Sequence, residues 1–264
     1  MIGTVTTDAQ RMQVMQALGQ ADPSPVVCEL ASRFVVFGSL PGSPWQFCTG
    51  APGQRPLALG VRGKSALLAG WAQPEELASC LEFLGVDQLR TAGTVPKGWQ
   101  CAKPLVAMKL HTPRPQPMPK EIQLEQQPSL WQVAQLMAAS DSFAGQSQQV
   151  LDELYSEMCT LCNHGAGRIW AVRQADQLAA VAGAWGLWEG CAYLSGVETI
   201  PHRRHQGLAS WLTVQLAAHL QGEGFQVELL CSPALQPFYT RLGFAPAGEG
   251  GIYRPPTTTI STKG

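Results

Sequence analysis

The stretch that most constrains this chain runs from Cys191 to Gly224. Cys191 to Ile200 is apolar and rich in β-favouring residues, which predicts a strand. Pro201 ends it, because proline has no backbone N–H to give a neighbouring strand. A short basic loop follows, His202-Arg203-Arg204-His205-Gln206-Gly207. From Leu208 the apolar period becomes helical: Leu208, Leu212, Leu216 and Leu220 share a face, with Trp211 and Ala218 on flanking rows. Gly222 and Gly224 close the helix. The expected unit is a strand that passes through a tight basic turn into a helix. The first N–H groups of a helix lack intrahelical acceptors and carry partial positive charge. A glycine lets an anion approach the backbone, and Arg203 and Arg204 add full charges. Such a turn suits a pyrophosphate.

Arg204, Gly207 and Ala209 fit the signature R/Q-x-x-G-x-G/A, and on those residues the chain resembles the GNAT-type N-acetyltransferases. A second stretch, Pro237-Phe238-Tyr239-Thr240-Arg241-Leu242-Gly243-Phe244, is similar to the late motif of that family, a helix ending in Y-x-x-L-G-F. The resemblance covers the C-terminal half and says nothing direct about the first hundred or so residues. It implies an α+β fold on a mixed sheet, and an enzyme that moves an acetyl group from acetyl-coenzyme A, as cosubstrate, to a small-molecule or peptide amine by direct attack. No metal and no cysteine nucleophile are implied. The alternative is a non-catalytic protein of the same fold that binds or senses acyl-coenzyme A.

The resemblance also implies site residues. Val197, Glu198 and Thr199 would pair with the extended pantetheine arm and polarise the thioester carbonyl. Arg204, His205, Gln206, Gly207, Leu208, Ala209 and Ser210 would cradle the pyrophosphate. Tyr239 would protonate the leaving thiolate, a phenol pKa of roughly 10 being close to that of an alkyl thiol. Glu198 or a water chain would take the proton of the incoming ammonium. Ser232 stands seven residues before Tyr239, where many members carry Asn, and its hydroxyl would reach the cofactor arm less far. Each residue has a plainer reading: a solvated basic loop, a core tyrosine at a helix end, an outward-facing strand glutamate.

At 264 residues the chain is long for one such domain, so two are expected. Alternating prolines at Thr112-Pro-Arg-Pro-Gln-Pro-Met-Pro119 predict a stiff, extended connector. The expected division is an N-terminal α/β domain at 1–111, the connector at 112–119, the acetyltransferase domain at 120–254 and a disordered tail at 255–264. In the N-terminal half, helices are expected over Thr7–Leu18 and Pro74–Leu84. Strands are expected at Arg33–Phe37, Trp45–Cys48, Leu57–Val61, Ser65–Trp71, Leu89–Ala92 and Leu105–Leu110. The strand pair, helix and strand of Leu57–Ala92 are compatible with a degenerate copy of the C-terminal fold, although no sequence repeat is visible. In the second half, Glu121–Glu125 reads as strand, Ser129–Ala139 as a capped helix and Gln146–Cys162 as another. Gly167–Arg173, Leu178–Trp188, Phe225–Cys231 and the segment from Phe244 read as strands, and Ala234–Leu242 as helix.

A net charge of −1 argues against nucleic acid or an acidic membrane as partner. The start shows no signal-peptide pattern and no apolar run is long enough to span a bilayer, so a cytoplasmic protein, monomer or homodimer, is expected. The eight cysteines are read as buried thiols. Gly60-Val61-Arg62-Gly63-Lys64-Ser65 invites a P-loop reading, but the first glycine would fall on Ala58, so a hairpin turn is expected. Cys159-Thr160-Leu161-Cys162-Asn163-His164 lacks the spacing for haem and a second pair for zinc, which leaves two helix cysteines facing the core. Trp185 and Trp188 are read as packing residues or as walls of an acceptor pocket.

Overall fold

The structure, a computed structural model, describes residues 1–140 and 147–256. The helix start expected at Gln146 and residues 257–264 of the tail expected at 255–264 lie outside the described residues. The chain divides into two compact units, Met1–Val106 with the segment from Gly248, and Ala107–Ala247.

The first unit runs β1 (Gly3–Thr4), α1 (Asp8–Gln20), α2 (Pro25–Phe37), β2 (Gln46–Thr49), β3 (Leu57–Arg62), β4 (Ser65–Gly70), α3 (Pro74–Phe83) and β5 (Gln88–Thr91). Thr7 opens α1 with a capping box: its hydroxyl accepts from the Gln10 N–H at 3.3 Å, and the Gln10 side chain accepts from the Thr7 N–H at 3.1 Å. The strand expected at Arg33–Phe37 is instead the end of α2. Ser24 caps that helix by accepting from the Val27 N–H, Pro25 takes its first position, and all of it but Val35 is buried. Its polar residues Glu29, Ser32 and Arg33 are buried along with its apolar ones, and the β-branched valines at its two ends favour a strand reading. Gly63, at φ 54°, turns β3 into β4, and Arg62 faces Ser65 across the antiparallel pair, a hairpin and not a phosphate loop.

The chain continues through β6 (Gln100–Leu110), which begins in the first unit and ends in the second. The second unit then runs β7 (Gln123–Glu125), α4 (Leu130–Ala138), α5 (Gln148–Asn163), β8 (Arg168–Gln174), β9 (Gln177–Trp188), β10 (Cys191–Thr199), α6 (Leu208–Gly222), β11 (Gln226–Cys231) and α7 (Gln236–Leu242), and β12 (Phe244–Arg254) closes the chain. Ala175 and Asp176 both take positive φ in the tight turn between β8 and β9, as a two-residue hairpin of matching twist requires. Ser129 stands at the cap of α4, but its hydroxyl makes no capping hydrogen bond.

The strands of the first unit lie in the order β1-β2-β3-β4-β5-β12, and those of the second in the order β6-β11-β10-β9-β8-β7. The two share one plan: a strand, two helices, three antiparallel strands, a helix, and a strand parallel to the third. Neither is finished by the strand that follows in sequence. β12 lies antiparallel to β5, and β6 lies beside β11, so the final strands of the two copies are exchanged. The N-terminal half thus repeats the plan of the second unit, a likeness visible in topology and not in sequence.

In the first unit Leu77 and Leu81 of α3 pack on Leu57, Leu59, Val61, Leu68 and Leu89. On the opposite face α2 approaches so closely that a Cβ at Gly60 would lie 2.6 Å from Leu30. In the second unit Leu212, Leu216 and Leu220 of α6 and the run Ala179–Ala182 of β9 are wholly buried. All eight cysteines are free thiols; Cys28, Cys48 and Cys231 are buried, whereas Cys101 is exposed, contrary to the expectation of uniform burial. Burial pushes the Cys48 and Cys162 thiols up to about 11. No helix among the described residues is long and apolar enough to cross a membrane.

Candidate functional site

The site residues expected from sequence gather around the C-terminal ends of β10 and β11 and the start of α6. β10 pairs in parallel with β11 from Cys191 to Leu194, against Gln226 to Leu229. Beyond Leu194 that pairing stops, although β10 continues to Thr199 and β11 to Cys231. Val197, Glu198 and Thr199 therefore lie on a strand whose edge toward β11 is no longer occupied by the ladder. An extended chain could run along that edge. The three are half-buried, and the Thr199 hydroxyl is enclosed with no hydrogen-bond partner among the described residues.

After Ile200 the chain makes one 3-10 turn, Pro201–Arg203, with the Arg203 and Arg204 N–H groups donating to the carbonyls of Ile200 and Pro201 at 3.0 and 3.2 Å. His205 and Gly207 then take left-handed conformations, φ 64° and 79°. Gly207 is the cap of α6, and the first intrahelical bond runs from the Trp211 N–H to its carbonyl at 2.9 Å. The N–H groups of Leu208, Ala209 and Ser210 precede that bond and have no helical acceptor. The first turn holds no acidic residue, and a Cβ at Gly207 would meet nothing within 4 Å, so the space before the turn is open. Arg204 is half-buried, and its Nε donates to the Thr199 carbonyl at 3.3 Å. That bond ties the basic loop to the end of β10. His205 and Gln206 are exposed.

Tyr239 lies in α7, 8% exposed, edge-on to Phe238 and Phe244 at centroid distances of 4.9 and 5.8 Å. Burial raises its phenol well above the ordinary tyrosine range, and Cys231, Tyr193 and Glu198 nearby add to the rise. The even match to a thiol expected from sequence is therefore shifted: the phenol is held protonated, as a weaker acid. Ser232 is half-buried in the turn leading to α7, where its carbonyl accepts from the Leu235 N–H at 2.9 Å.

The proline-rich segment, read from sequence as a connector, belongs to the second unit. Arg114 N–H donates to the Leu242 carbonyl at 3.0 Å, and His111 N–H to Gly243 at 3.1 Å. Gln116, Pro117, Met118, Pro119 and Lys120 wall a groove of about 380 Å³ opposite Gln206, Gly207 and Ser210. Proline spacing told of stiffness but not of destination, so this wall was not legible. Among the described residues no group of three or more His, Cys, Asp or Glu could hold a metal ion.

Residues 131–244 match the model of the acetyltransferase (GNAT) family. The second half of this chain carries a GNAT acetyltransferase domain. Its matched stretch contains β10, the Gly207 turn, α6, β11 and α7. Solved structures extend the likeness of fold to the other half. A tandem GNAT protein from the clavulanic acid biosynthesis pathway aligns over 96% of this chain and 97% of its own, at 12% identity and a TM-score of 0.65. A Drosophila protein aligns over 96% and 98%, at 13% identity and 0.63, and a GNAT-family acetyltransferase of Colwellia psychrerythraea over 96% and 98%, at 14% and 0.59. No curated protein matches the sequence.

Proposed function

We infer that the GNAT domain transfers an acetyl group from acetyl-coenzyme A, its donor substrate, to an amine. One observation carries this reading: a left-handed glycine, Gly207, opens α6 directly after a strand whose outer half stays paired with β9 but no longer pairs with β11. The N–H groups of Leu208, Ala209 and Ser210 and the charge of the arginine loop suit a pyrophosphate. The edge of Val197–Thr199 that faces β11, past the end of the β10–β11 pairing, suits an extended amide-bearing arm whose thioester oxygen a backbone N–H there would meet. The amine attacks the thioester carbonyl, the C–S bond breaks, and the thiolate leaves. Tyr239 Oη holds the proton that the thiolate takes, and Glu198, alone or through water, accepts the proton the ammonium gives up.

A second reading, binding without turnover, draws on the burial of Tyr239, which makes it a poorer acid. Calorimetry and turnover together decide between the two. Gly207→Glu puts a side chain and a negative charge in front of the helix and is expected to weaken coenzyme A binding by at least about 100-fold in a folded protein. Unchanged affinity in that variant removes the donor site from this turn. Tight binding by the wild type with no free thiol released against a broad panel of amines favours the second reading.

A further inference from the structure

Two irregularities interrupt the β9–β10 ladder, and they cancel. Cys191, Ala192 and Tyr193 face Trp188, Leu187 and Gly186, but Leu194 and Ser195 face Ala184 and Gly183, so Trp185 is an extra residue on β9. Farther on Glu198 and Thr199 face Val181 and Ala180, so the Gly196–Val197 step carries one extra residue on β10. Beyond it the original register returns. Only Leu194 and Ser195 are offset. Strand side chains alternate between faces, so a one-residue offset confined to two positions needs a local contact to hold it.

The indole of Trp185 is that contact. Its Nε1–H donates to the Ser195 carbonyl at 3.0 Å, satisfying a backbone group at the offset. The ring is 7% exposed and lies against two glycines, one from each strand. A Cβ at Gly183 would sit 2.7 Å from Nε1, and one at Gly196 would sit 2.5 Å from it. Gly196 also takes φ 65°, open to glycine at no steric cost. The residue that makes the first bulge therefore reaches across and fixes the second.

We propose that Trp185 is a positioning residue for the acyl-thioester arm. It holds the bulge at Gly196–Val197 and so sets how the backbone of Val197, Glu198 and Thr199 faces that arm. It touches no reacting atom. The proposal rests on the donor-site reading above and assigns Trp185 to the pantetheine end of the ligand, not to its nucleotide end.

The test uses the full chain and Trp185→Phe, which keeps a ring and removes the N–H donor. Calorimetry compares coenzyme A with 3′-phosphoadenosine 5′-diphosphate, which lacks the pantetheine arm. Trp185→Phe is expected to weaken coenzyme A about five- to tenfold and to leave the nucleotide within about twofold, whereas Gly207→Glu weakens both. Amide hydrogen exchange at Val197–Thr199 is expected to quicken about tenfold in Trp185→Phe. If Trp185→Phe does not fold, Gly196→Ala, whose Cβ drives the indole out, is expected to give the same selective loss. Equal weakening of both ligands, or unchanged coenzyme A affinity, overturns the proposal. A wild type that binds neither ligand overturns the donor-site reading; the exchange experiment needs no ligand, and unchanged exchange at Val197–Thr199 overturns the role of Trp185 by itself.

Discussion

Helices α3 and α6 occupy the same step of the shared plan, each following the third antiparallel strand and preceding the parallel one, yet they begin differently. α3 starts with Pro74, Glu75 and Glu76. Glu75 is held below its ordinary range, first by its own backbone N–H and then by Lys97, whose Nζ lies 3.3 Å away. That helix end is neutralised by its own chain. α6 starts with Gly207 after a basic loop, and no acid stands in its first turn. The strands before them differ in the same sense. β3 and β4 pair without interruption from Leu57 with Gly70 to Arg62 with Ser65, and β5 is paired along its whole length with β4. β10 is bulged, and it parts from β11 at Leu194. One scaffold thus appears in a sealed form and an opened form. In the open form the first N–H groups of α6 have neither a helical acceptor nor an acid in the first turn, whereas in the sealed form Glu75 and Glu76 stand at the helix start.

The largest effect belongs to the open form. Tyr239→Phe is expected to lower kcat by ~10²–10⁴-fold while coenzyme A affinity stays within about threefold, because the hydroxyl is assigned to a proton and not to binding. Thiol release from acetyl-coenzyme A measures the first and calorimetry the second. The paired substitution Glu75→Gln with Glu76→Gln is expected to change neither quantity. A wild-type rate in Tyr239→Phe removes that residue from the mechanism, and coenzyme A binding lost on the α3 substitutions breaks the contrast between the two helix starts.

Next in size is a contrast between two left-handed glycines, Gly85 after α3 and Gly243 after α7, at φ 69° and 106°. A Cβ at Gly85 meets nothing within 4 Å, so Gly85→Ala is expected to cost only the conformational penalty, about 1 kcal/mol. A Cβ at Gly243 would lie 1.9 Å from the Thr112 carbonyl oxygen, inside the proline-rich wall of the groove. Gly243→Ala is expected to cost more than about 3 kcal/mol in denaturant unfolding and to weaken coenzyme A as the wall shifts. Equal costs at the two glycines would mean that the wall yields freely and does not shape the groove.

Much of the open form could be read before the structure was seen, and less of the sealed one. The strand end at Thr199, the turn at Gly207 and the helix from Leu208 were legible because proline, glycine and a four-residue apolar period are local signals. The helix α2 was not, since Val26, Val27, Val35 and Val36 favour strands and outweigh the short polar set Glu29, Ser32 and Arg33, which is itself buried. Ser24-Pro25 was the available signal of a helix start. The bulges at Trp185 and Gly196 are properties of pairing between strands, and sequence spacing carries no record of register. The exchange of β6 and β12 is nonlocal in the same way.

The smallest effect concerns one pair of equivalent positions. Arg90 faces Leu67 across the parallel pair of the first unit, and Glu228 faces Tyr193 in the second. Arg90 donates to one oxygen of the buried Glu29 at 2.9 Å, and the other oxygen lies 2.8 Å from the same nitrogen, off the hydrogen-bond direction. Glu228 is as buried, but its partner Lys109 stands 3.9 Å away and is 43% exposed. Burial therefore raises the Glu228 carboxyl above its ordinary range, and Lys109 only partly offsets it. A carboxyl with a raised folded pKa contributes stability that is full below the unfolded pKa and is lost as pH rises through the folded one. At neutral pH ionised Glu228 is a burden on the fold. Glu228→Gln, of the same shape and uncharged, is expected to raise the melting temperature by about a degree or two at pH 7.5, with the gain shrinking toward pH 4 as the wild-type carboxyl protonates. A variant less stable than the wild type at pH 7.5, with the deficit shrinking toward pH 4, would show that the Lys109 pair, loose as it is, outweighs the desolvation of its partner.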